Sequence, residues 1–195
     1  MRKPYSIKTL YIPFLLAACA SAPSRYFSLG ESPESAADTS AKAAAPRCLV
    51  NLDSASVPAI VDRPQLVLSV SSGQVSIREQ ARWAAPLREA IPDALRDAVE
   101  RASLGAIHVR RGGRLSEGLR VEVEVERFEL GDKSVSVSLE LYTSDSTKLR
   151  DTRSIHSEVA PAAGADRDAA IAAAAQQAVD EAGRQLAAFL TTQCP

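Results

Sequence analysis

Three cysteines, two histidines and a row of alternating glutamates are the side chains of this chain that could do chemistry. His108 and His156 could each act as a general base, but neither accompanies a serine or cysteine motif, so we interpret both as ordinary strand residues. Glu122, Glu124 and Glu126 could bind a cation, although such alternation is typical of the solvent face of a sheet. The sequence has no glycine-rich phosphate loop, no Gly-x-Ser-x-Gly elbow and no metal-spaced His or Cys cluster. We therefore predict no catalytic residues, no metal site and no enzyme.

Two further features could contact a ligand. The basic run from Arg110 to Arg114 could hold an anionic lipid or a phosphate, but a solvated turn accounts for it and is the interpretation we favour. Trp83 could stack on a ligand, but an aromatic side chain at a predicted helix start is more typical of a core anchor. Neither feature therefore predicts a binding site by itself.

Cys19 ends an N-terminal segment that has the parts of a secretory signal. Arg2, Lys3 and Lys8 make its start basic, and residues 10–16 are mostly apolar. This apolar run is too short for a membrane-spanning helix, since roughly 20 residues are needed to cross a bilayer core of about 30 Å. An ordinary cleaved signal with an unrelated cysteine is the alternative.

The four residues that end this segment, Leu16-Ala17-Ala18-Cys19, resemble the lipobox of bacterial lipoproteins. The resemblance implies cleavage before Cys19, a diacylglycerol on its thiol, and an N-acyl chain such as palmitate on the new amino terminus. Several acyl chains make a durable anchor because each buried methylene contributes about 0.8 kcal/mol. Lipoproteins held at the inner membrane often carry Asp after the cysteine, and this chain has Ala20. The resemblance thus implies the periplasmic face of the outer membrane, with no cofactor besides the covalent lipid.

The length of the chain and its charge restrict the number of domains and the class of partner. Removal of residues 1–18 leaves 177 residues, which fits one domain. The removed part has three basic and no acidic residues, so 20 Lys and Arg face 24 Asp and Glu in the remainder, a net charge of −4. This excess of negative charge argues against nucleic acid as a partner. We predict a lipoprotein signal peptide at 1–18, a lipidated tether at 19–24, and a single periplasmic domain at 25–195 with a low-complexity loop at about 31–46.

If Cys19 carries lipid, Cys48 and Cys194 are the two remaining thiols, in a compartment that is oxidising. We predict that they form a disulfide, because one lies at the start of a strand and the other just after the last helix. Two unpaired cysteines are the alternative.

Apolar periodicity predicts the elements and, with them, the fold. Strands are expected at 25–29, 47–52, 66–70, 74–78 and 106–109, an antiparallel meander at 119–130, 135–141 and 147–159 with a bulge near 126–127, and helices at 84–103 and 166–191. Residues 57–61 are expected to be extended, and Trp83 is expected to open the first helix. The fold class that follows is α/β (α+β), a mixed, mostly antiparallel sheet with two main helices packed on one face.

Two segments of the domain resemble a known family. Asp62-Arg63-Pro64-Gln65-Leu66-Val67 and Arg82-Trp83-Ala84-Ala85-Pro86-Leu87 are similar to segments of the ABC-type transport auxiliary lipoprotein family. Within this family they resemble in particular the lipoprotein component of the paraquat-inducible (Pqi) type of lipid transport system. The aromatic stretch Arg25-Tyr26-Phe27-Ser28-Leu29 after the lipobox also fits. The chain departs from the family in its long 31–46 loop, and in Ile60-Val61 where the family often has Tyr-Leu.

The resemblance implies an outer-membrane-anchored periplasmic lipoprotein that is a non-catalytic auxiliary subunit of a lipid transport system and maintains envelope integrity. Its partner would be a mammalian-cell-entry (MCE) domain protein, and the resemblance does not indicate which residues bind that partner. Two alternatives stay open: a lipid-anchored assembly factor for an outer-membrane protein, and a periplasmic enzyme of unrecognised type.

Overall fold

Eight strands and two helices make up the described part of the chain. The computed structural model describes residues 22–30, 48–52, 55–71, 73–112, 118–145, 148–164 and 166–194, so Cys19 and the 31–46 loop lie outside the described residues. The strands are β1 (Arg25–Phe27), β2 (Cys48–Leu52), β3 (Gln65–Ser71), β4 (Gln74–Trp83), β5 (Ile107–Arg111), β6 (Leu119–Leu130), β7 (Val135–Ser144) and β8 (Leu149–Val159). The helices are α1 (Leu87–Ala102) and α2 (Arg167–Gln193).

Strand β6 is the element on which the sheet is organised. One of its edges pairs antiparallel with β7 along nearly the whole strand. Its other edge is shared: β2 pairs with residues 119–121, a single bridge joins Ser56 to Glu124, and β3 meets Leu130. From there β2 continues to β5, and β3 continues to β4 and β1. The two ends of β6 therefore belong to two branches of the sheet. Strands β2 and β5 extend it beside the N-terminal end of β6, and strands β3, β4 and β1 extend it beside the C-terminal end.

The meander of β6, β7 and β8 follows the alternation in the sequence. Val121, Val123 and Val125 are buried, and the glutamates between them are exposed. The register of β6 against β7 shifts between Val125 and Arg127, so the predicted bulge is confirmed at this point. The shift is needed because the apolar phase moves to Phe128 and Leu130, and one extra residue returns both side chains to the core.

Both helices pack on the core side of this sheet. The stripe of α1 buries Leu87, Ile91, Leu95 and Val99, and the helix contacts α2 and β5. Helix α2 lies on β7 and β8, where the hydroxyl of Ser157 donates a hydrogen bond of 2.8 Å to the carbonyl of Ala178. Most paired positions are antiparallel, while β1, β2, β3 and β5 also contribute parallel pairs. The predicted fold class, a mixed sheet with two helices on one face, is confirmed.

Two local predictions are wrong. Trp83 is the last residue of β4 and does not open the helix, which begins at Leu87 after Pro86. The carbonyl of Pro86 accepts hydrogen bonds from the N–H groups of Glu89 and Ala90, so this proline is the N-terminal cap residue of α1. Residues 58–61 form a turn and are not extended, because the N–H of Val61 donates to the carbonyl of Pro58 over 3.0 Å. Proline restricts the residue before it, and it leaves the residues after it free to turn.

The two helices approach each other closely at Gly183 of α2. A Cβ atom on this glycine would lie 2.3 Å from the Cβ of Ala98 in α1, far inside van der Waals contact. Gly183→Ala should therefore force the helices apart and reduce the free energy of unfolding by about 1–3 kcal/mol, as overpacked cores do. The measurement is the urea midpoint of the purified domain.

Gly164→Ala is the matched control for this change. A Cβ atom at Gly164 would have no neighbour within 4 Å, so the same substitution there should leave the urea midpoint unchanged or slightly raised. Equal midpoints for the two variants would contradict the close packing of α1 on α2.

Candidate functional site

The two segments that carry the family resemblance meet on the surface and form a groove. We call it the motif groove; it is lined by Asp62, Arg63, Pro64, Trp83, Ala84, Ala85, Pro86 and Arg88. The N–H of Trp83 donates to the carbonyl of Pro64 over 2.7 Å, and the guanidinium of Arg88 donates to the carboxylate of Asp62 over 3.0 Å. The tertiary structure thus joins two segments that are about twenty residues apart in sequence.

The indole of Trp83 forms the floor between the groove and the core. Its side chain is buried and meets the ring of Phe128 edge-on, with ring centroids 6.0 Å apart and an interplanar angle of 69°. Edge-to-face packing of this kind adds to the hydrophobic stabilisation of both rings. The predicted role of Trp83 as a core anchor is therefore confirmed, although it anchors the end of a strand.

Strand β1 is held against the same part of the domain. It pairs in parallel with Ala81–Trp83, and the N–H of Ala84 donates to the carbonyl of Phe27 over 2.8 Å. The strand that follows the tether is therefore fixed beside the motif groove.

A cluster of four charged side chains ties β1 to the start of α2. We call it the Arg25 cluster; its members are Arg25, Arg78, Asp166 and Asp168. Arg25 donates to Asp166 and, over 2.8 Å, to Asp168, while Arg78 lies 3.5 Å from Asp168. The hydrogen bond from Arg25 holds the pKa of the Asp166 carboxyl below its usual value, and the N–H of Ala169 adds to this effect. Because the carboxylate of Asp166 also caps α2, the first strand and the last helix share one anchoring point.

Cys48 and Cys194 are joined in the structure by a disulfide. Their Cα atoms lie 5.7 Å apart, within the range of native disulfides, and 146 residues separate them in sequence. Cys48 is the first residue of β2, and Cys194 follows the last residue of α2. The bond therefore links the start of β2 to the end of the C-terminal helix.

The histidines and the glutamate row lie on solvated surfaces. His108 is exposed, with its Nδ1 3.0 Å from the carboxylate of Glu100. The Nδ1 of His156 lies 3.0 Å from the hydroxyl of Ser138, because the two residues are cross-strand partners in β8 and β7. This contact stands on the open face of the sheet, where water competes for the same hydrogen bonds. Within the described ranges, no three His, Cys, Asp or Glu side chains are grouped as a metal site would require.

The basic run from Arg110 to Arg114 begins in strand β5 and continues beyond the residues that the structure describes. Arg110 and Arg111 belong to β5, and Arg111 donates to Asp93 over 2.8 Å, while residues 113–117 lie outside the described ranges. The guanidinium of Arg111 therefore forms an ion pair within the domain.

These features are neighbours in the structure. A groove, a fixed N-terminal strand and an ion-pair cluster lie side by side around the hairpin of β3 and β4. A sequence profile of the ABC-type transport auxiliary lipoprotein component family matches residues 27–187, which is most of the chain and includes both segments of the motif groove. The chain belongs to this family of lipoproteins.

Solved structures share the fold of this auxiliary lipoprotein at low sequence identity. A crystal structure of an uncharacterized protein matches with a TM-score of 0.69 and 19% identity, over 87% of this chain and 99% of that one. A crystal structure of a protein from Xanthomonas campestris matches with a TM-score of 0.63 and 20% identity, over 87% and 93% of the two chains. No curated protein is significantly similar to this lipoprotein in sequence. Neither described helix has the length and apolar character to cross a bilayer.

Sequence reasoning missed the Arg25 cluster and the exposed apolar residues of the hairpin. The cluster joins residues 25, 78, 166 and 168, and nothing local in the sequence indicates that these charges meet. For the hairpin a signal was present: residues 65–77 carry no charged side chain, although 24% of the whole chain is charged. This uncharged run is the signal in the sequence that could have drawn attention to the exposed apolar residues of the hairpin.

Proposed function

We propose that this protein is a periplasmic lipoprotein, anchored in the outer membrane through acylated Cys19, which docks an MCE-domain protein as the non-catalytic auxiliary subunit of an ABC-type lipid transport system. The observation that carries the proposal is the family match over residues 27–187. The lipobox supports the anchor, because it places an acylated cysteine six residues before the first strand. The role of the protein is to hold its partner at the outer membrane, and so to maintain the integrity of the envelope.

The motif groove is the docking surface that we propose for the partner. It combines a recessed indole, the apolar side chains of Pro64, Ala84 and Pro86, and the exposed guanidinium of Arg63. Protein interfaces are typically built from an aromatic or arginine anchor inside an apolar patch with a polar rim. The groove therefore offers a partner both a pocket to fill and a charge to pair.

Cys19→Ala tests the anchor. Without the thiol no diacylglycerol can be attached, so the protein should leave the membrane fraction, and the mass of its N-terminus should lack the acyl chains. Ser21→Ala is the control, because it changes the tether and keeps the thiol; that variant should stay in the membrane fraction. Cleavage at another position with a free Cys19 thiol in the native protein would contradict the prediction.

Photo-crosslinking tests the partner. Ala85, which is exposed and lines the motif groove, is replaced by benzoylphenylalanine in the full-length protein, and the adducts formed in the cell envelope are identified by mass spectrometry. We expect an adduct with an MCE-domain protein. The matched control replaces Lys148, which is exposed near the start of β8 and away from the groove, and it should give no such adduct.

Each other result of this experiment has a distinct meaning. An MCE adduct from position 148 alone would keep the partner and contradict the groove as the docking surface. An adduct with an outer-membrane barrel protein would favour the assembly-factor alternative. The absence of an MCE adduct from both positions, with a folded and acylated protein, would count against the proposed function.

A further inference from the structure

We propose that the tip of the β3–β4 hairpin rests on the lipid bilayer that holds the acyl chains of Cys19. The hairpin patch, as we call this surface, comprises Ile60, Val70, Val75 and Ile77. The inference rests on the proposed lipidation of Cys19, and it adds the orientation of the domain on the membrane.

The patch consists of aliphatic side chains that are open to water in the isolated domain. Val70 is 60% exposed, Ile60 53%, Val75 41% and Ile77 40%. Val75 and Ile77 point to the same face of β4, because they alternate along the strand and lie opposite Ser69 and Val67 of β3. Val70 lies outside this row, in the register shift between Ser69 and Ser71 near the tip. Ile60 lies on this side too, since it lines with Val75 a shallow groove of about 380 Å³ in front of the hairpin. Exposed aliphatic groups concentrated in this way indicate a surface that is covered in the working protein.

The hairpin extends past the end of the sheet. Strand β3 meets β6 through one pair, Leu68 with Leu130, and Leu130 is the last residue of β6. Residues 69–71 and Gly73 therefore project beyond the strand on which the sheet is organised. Among the described residues, β1 covers the outer edge of β4 only at Ala81–Trp83. The projecting part of the hairpin is accessible to a flat surface such as a bilayer.

The tether enters the domain from the direction of the hairpin tip. Strand β1 runs parallel to β4 with Arg25 opposite Ala81, and the hydroxyl of Ser24 contacts Gln80, one position nearer to the tip. Six residue steps lead back from Arg25 to Cys19, and a chain of six residues spans at most about 20 Å. Six steps along β4 from Ala81 to Val75 span the same distance of about 20 Å. The tether is thus long enough for Cys19 to reach the level of Val75, and too short to hold the domain far from the membrane.

The end of the tether that joins the domain is fixed in place. Arg25, the residue that follows the tether, pairs with Asp166 and Asp168 at the N-terminus of α2, and its strand β1 pairs with β4. The distance from the bilayer to the hairpin patch is therefore set by the few residues before Arg25.

The chemistry of the hairpin favours lipid over a protein partner. Residues 65–77 contain no charged side chain, and a charge entering the bilayer interior is what membrane insertion penalises most. Exposed edge strands of soluble domains are usually protected by charges or proline, and residues 65–77 carry neither. The charged residues that line the groove in front of the hairpin, Glu126, Arg127 and Glu129, belong to β6 and not to the hairpin. Ser71 and Gln74 beside the turn suit the headgroup region.

Depth measurement on the acylated protein tests the inference. An environment-sensitive fluorophore is attached to Val75→Cys in the mature lipidated protein, reconstituted in vesicles of phosphatidylethanolamine and phosphatidylglycerol. The label is specific, since Cys48 and Cys194 are bonded to each other and Cys19 is acylated. We expect a blue shift of the emission, loss of quenching by aqueous iodide, and quenching by a lipid that carries a nitroxide on its acyl chain.

Leu149→Cys is the matched control. Leu149 is also an exposed aliphatic residue, 57% accessible, but it lies opposite Ser144, which pairs with Arg120 at the start of β6. That position is ten residues along β6 from Leu130, or about 33 Å from the end that carries the hairpin. A label there should be quenched by iodide and unaffected by the nitroxide lipid.

The outcomes separate this inference from the proposed function. A protein that floats with the vesicles while iodide quenches the labels at 75 and 149 equally would overturn the bilayer contact and leave the anchor intact. A label at 75 that resists iodide but ignores the nitroxide lipid would overturn it in favour of a protein partner or a second copy. A mature protein without acyl chains by mass spectrometry would overturn the anchor and, with it, this inference.

Discussion

Leu95→Asp is expected to unfold the domain. Leu95 is fully buried on the stripe of α1 that faces α2, and its carbonyl oxygen lies 3.5 Å from where a side chain on Gly183 would begin. A carboxylate at this position would lose its hydration and find no room between two helices in close contact. An unpaired buried charge costs several kcal/mol, a large part of the 5–15 kcal/mol by which domains are typically stable.

The measurement is the far-ultraviolet circular dichroism of the variant and its thermal transition. Leu104→Asp is the matched control, because Leu104 is 95% exposed and has a φ of 52°, a conformation that Asp adopts more readily than Leu. This control should melt like the native protein. A cooperative transition of Leu95→Asp at the native temperature would show that the α1 stripe does not form the core.

Loss of the disulfide is expected to be the second large effect. Six of the eleven buried residues of α2 are alanines, which bury little apolar area, so the contacts of this helix with the core contribute less than its length suggests. The bond between Cys48 and Cys194 restricts the unfolded chain across 146 residues, and chain-entropy reasoning gives about 5 kcal/mol as an upper value for such a loop. Reduction should therefore lower the free energy of unfolding by roughly 2–5 kcal/mol.

Urea denaturation with and without a reducing agent measures this contribution. The native protein should lose stability when it is reduced, with the C-terminal end of α2 losing amide protection first. The variant Cys48→Ala with Cys194→Ala is the control: it should match the reduced native protein and show no response to the reducing agent. Peptide mapping that finds both thiols free in protein isolated from the envelope would contradict the prediction.

The two large effects concern the same problem, which is how a helix rich in alanine is kept on the sheet. The small side chains on α2 allow the two helices to pack closely where Gly183 lies against Ala98. The contacts of this close packing compensate for the small apolar area that each alanine buries. The capping carboxylate of Asp166 and its pairing with Arg25 hold one end of the helix, and the disulfide at Cys194 holds the other. The helix is therefore held at both of its ends.

The sequence by itself determined those features that depend on local periodicity. Alternating valines predicted the strands of the meander, and the change of phase after Val125 predicted the bulge. The stripes of α1 and α2 predicted which faces are buried, because a side chain's position on a helix follows from its place in the turn. The number of cysteines and the lipobox predicted the pairing of Cys48 with Cys194.

Only the tertiary structure decided which distant segments are neighbours. The parallel pairs of β1 with β4, and of β2 with β5 and β6, were not predictable, because alternation records which face of a strand is buried and says nothing of its partner. The Arg25 cluster and the contact of Gly183 with Ala98 likewise depend on elements far apart in sequence. The placement of the hairpin patch beside the entry of the tether follows from the parallel register of β1, and that register is set by packing across the whole domain.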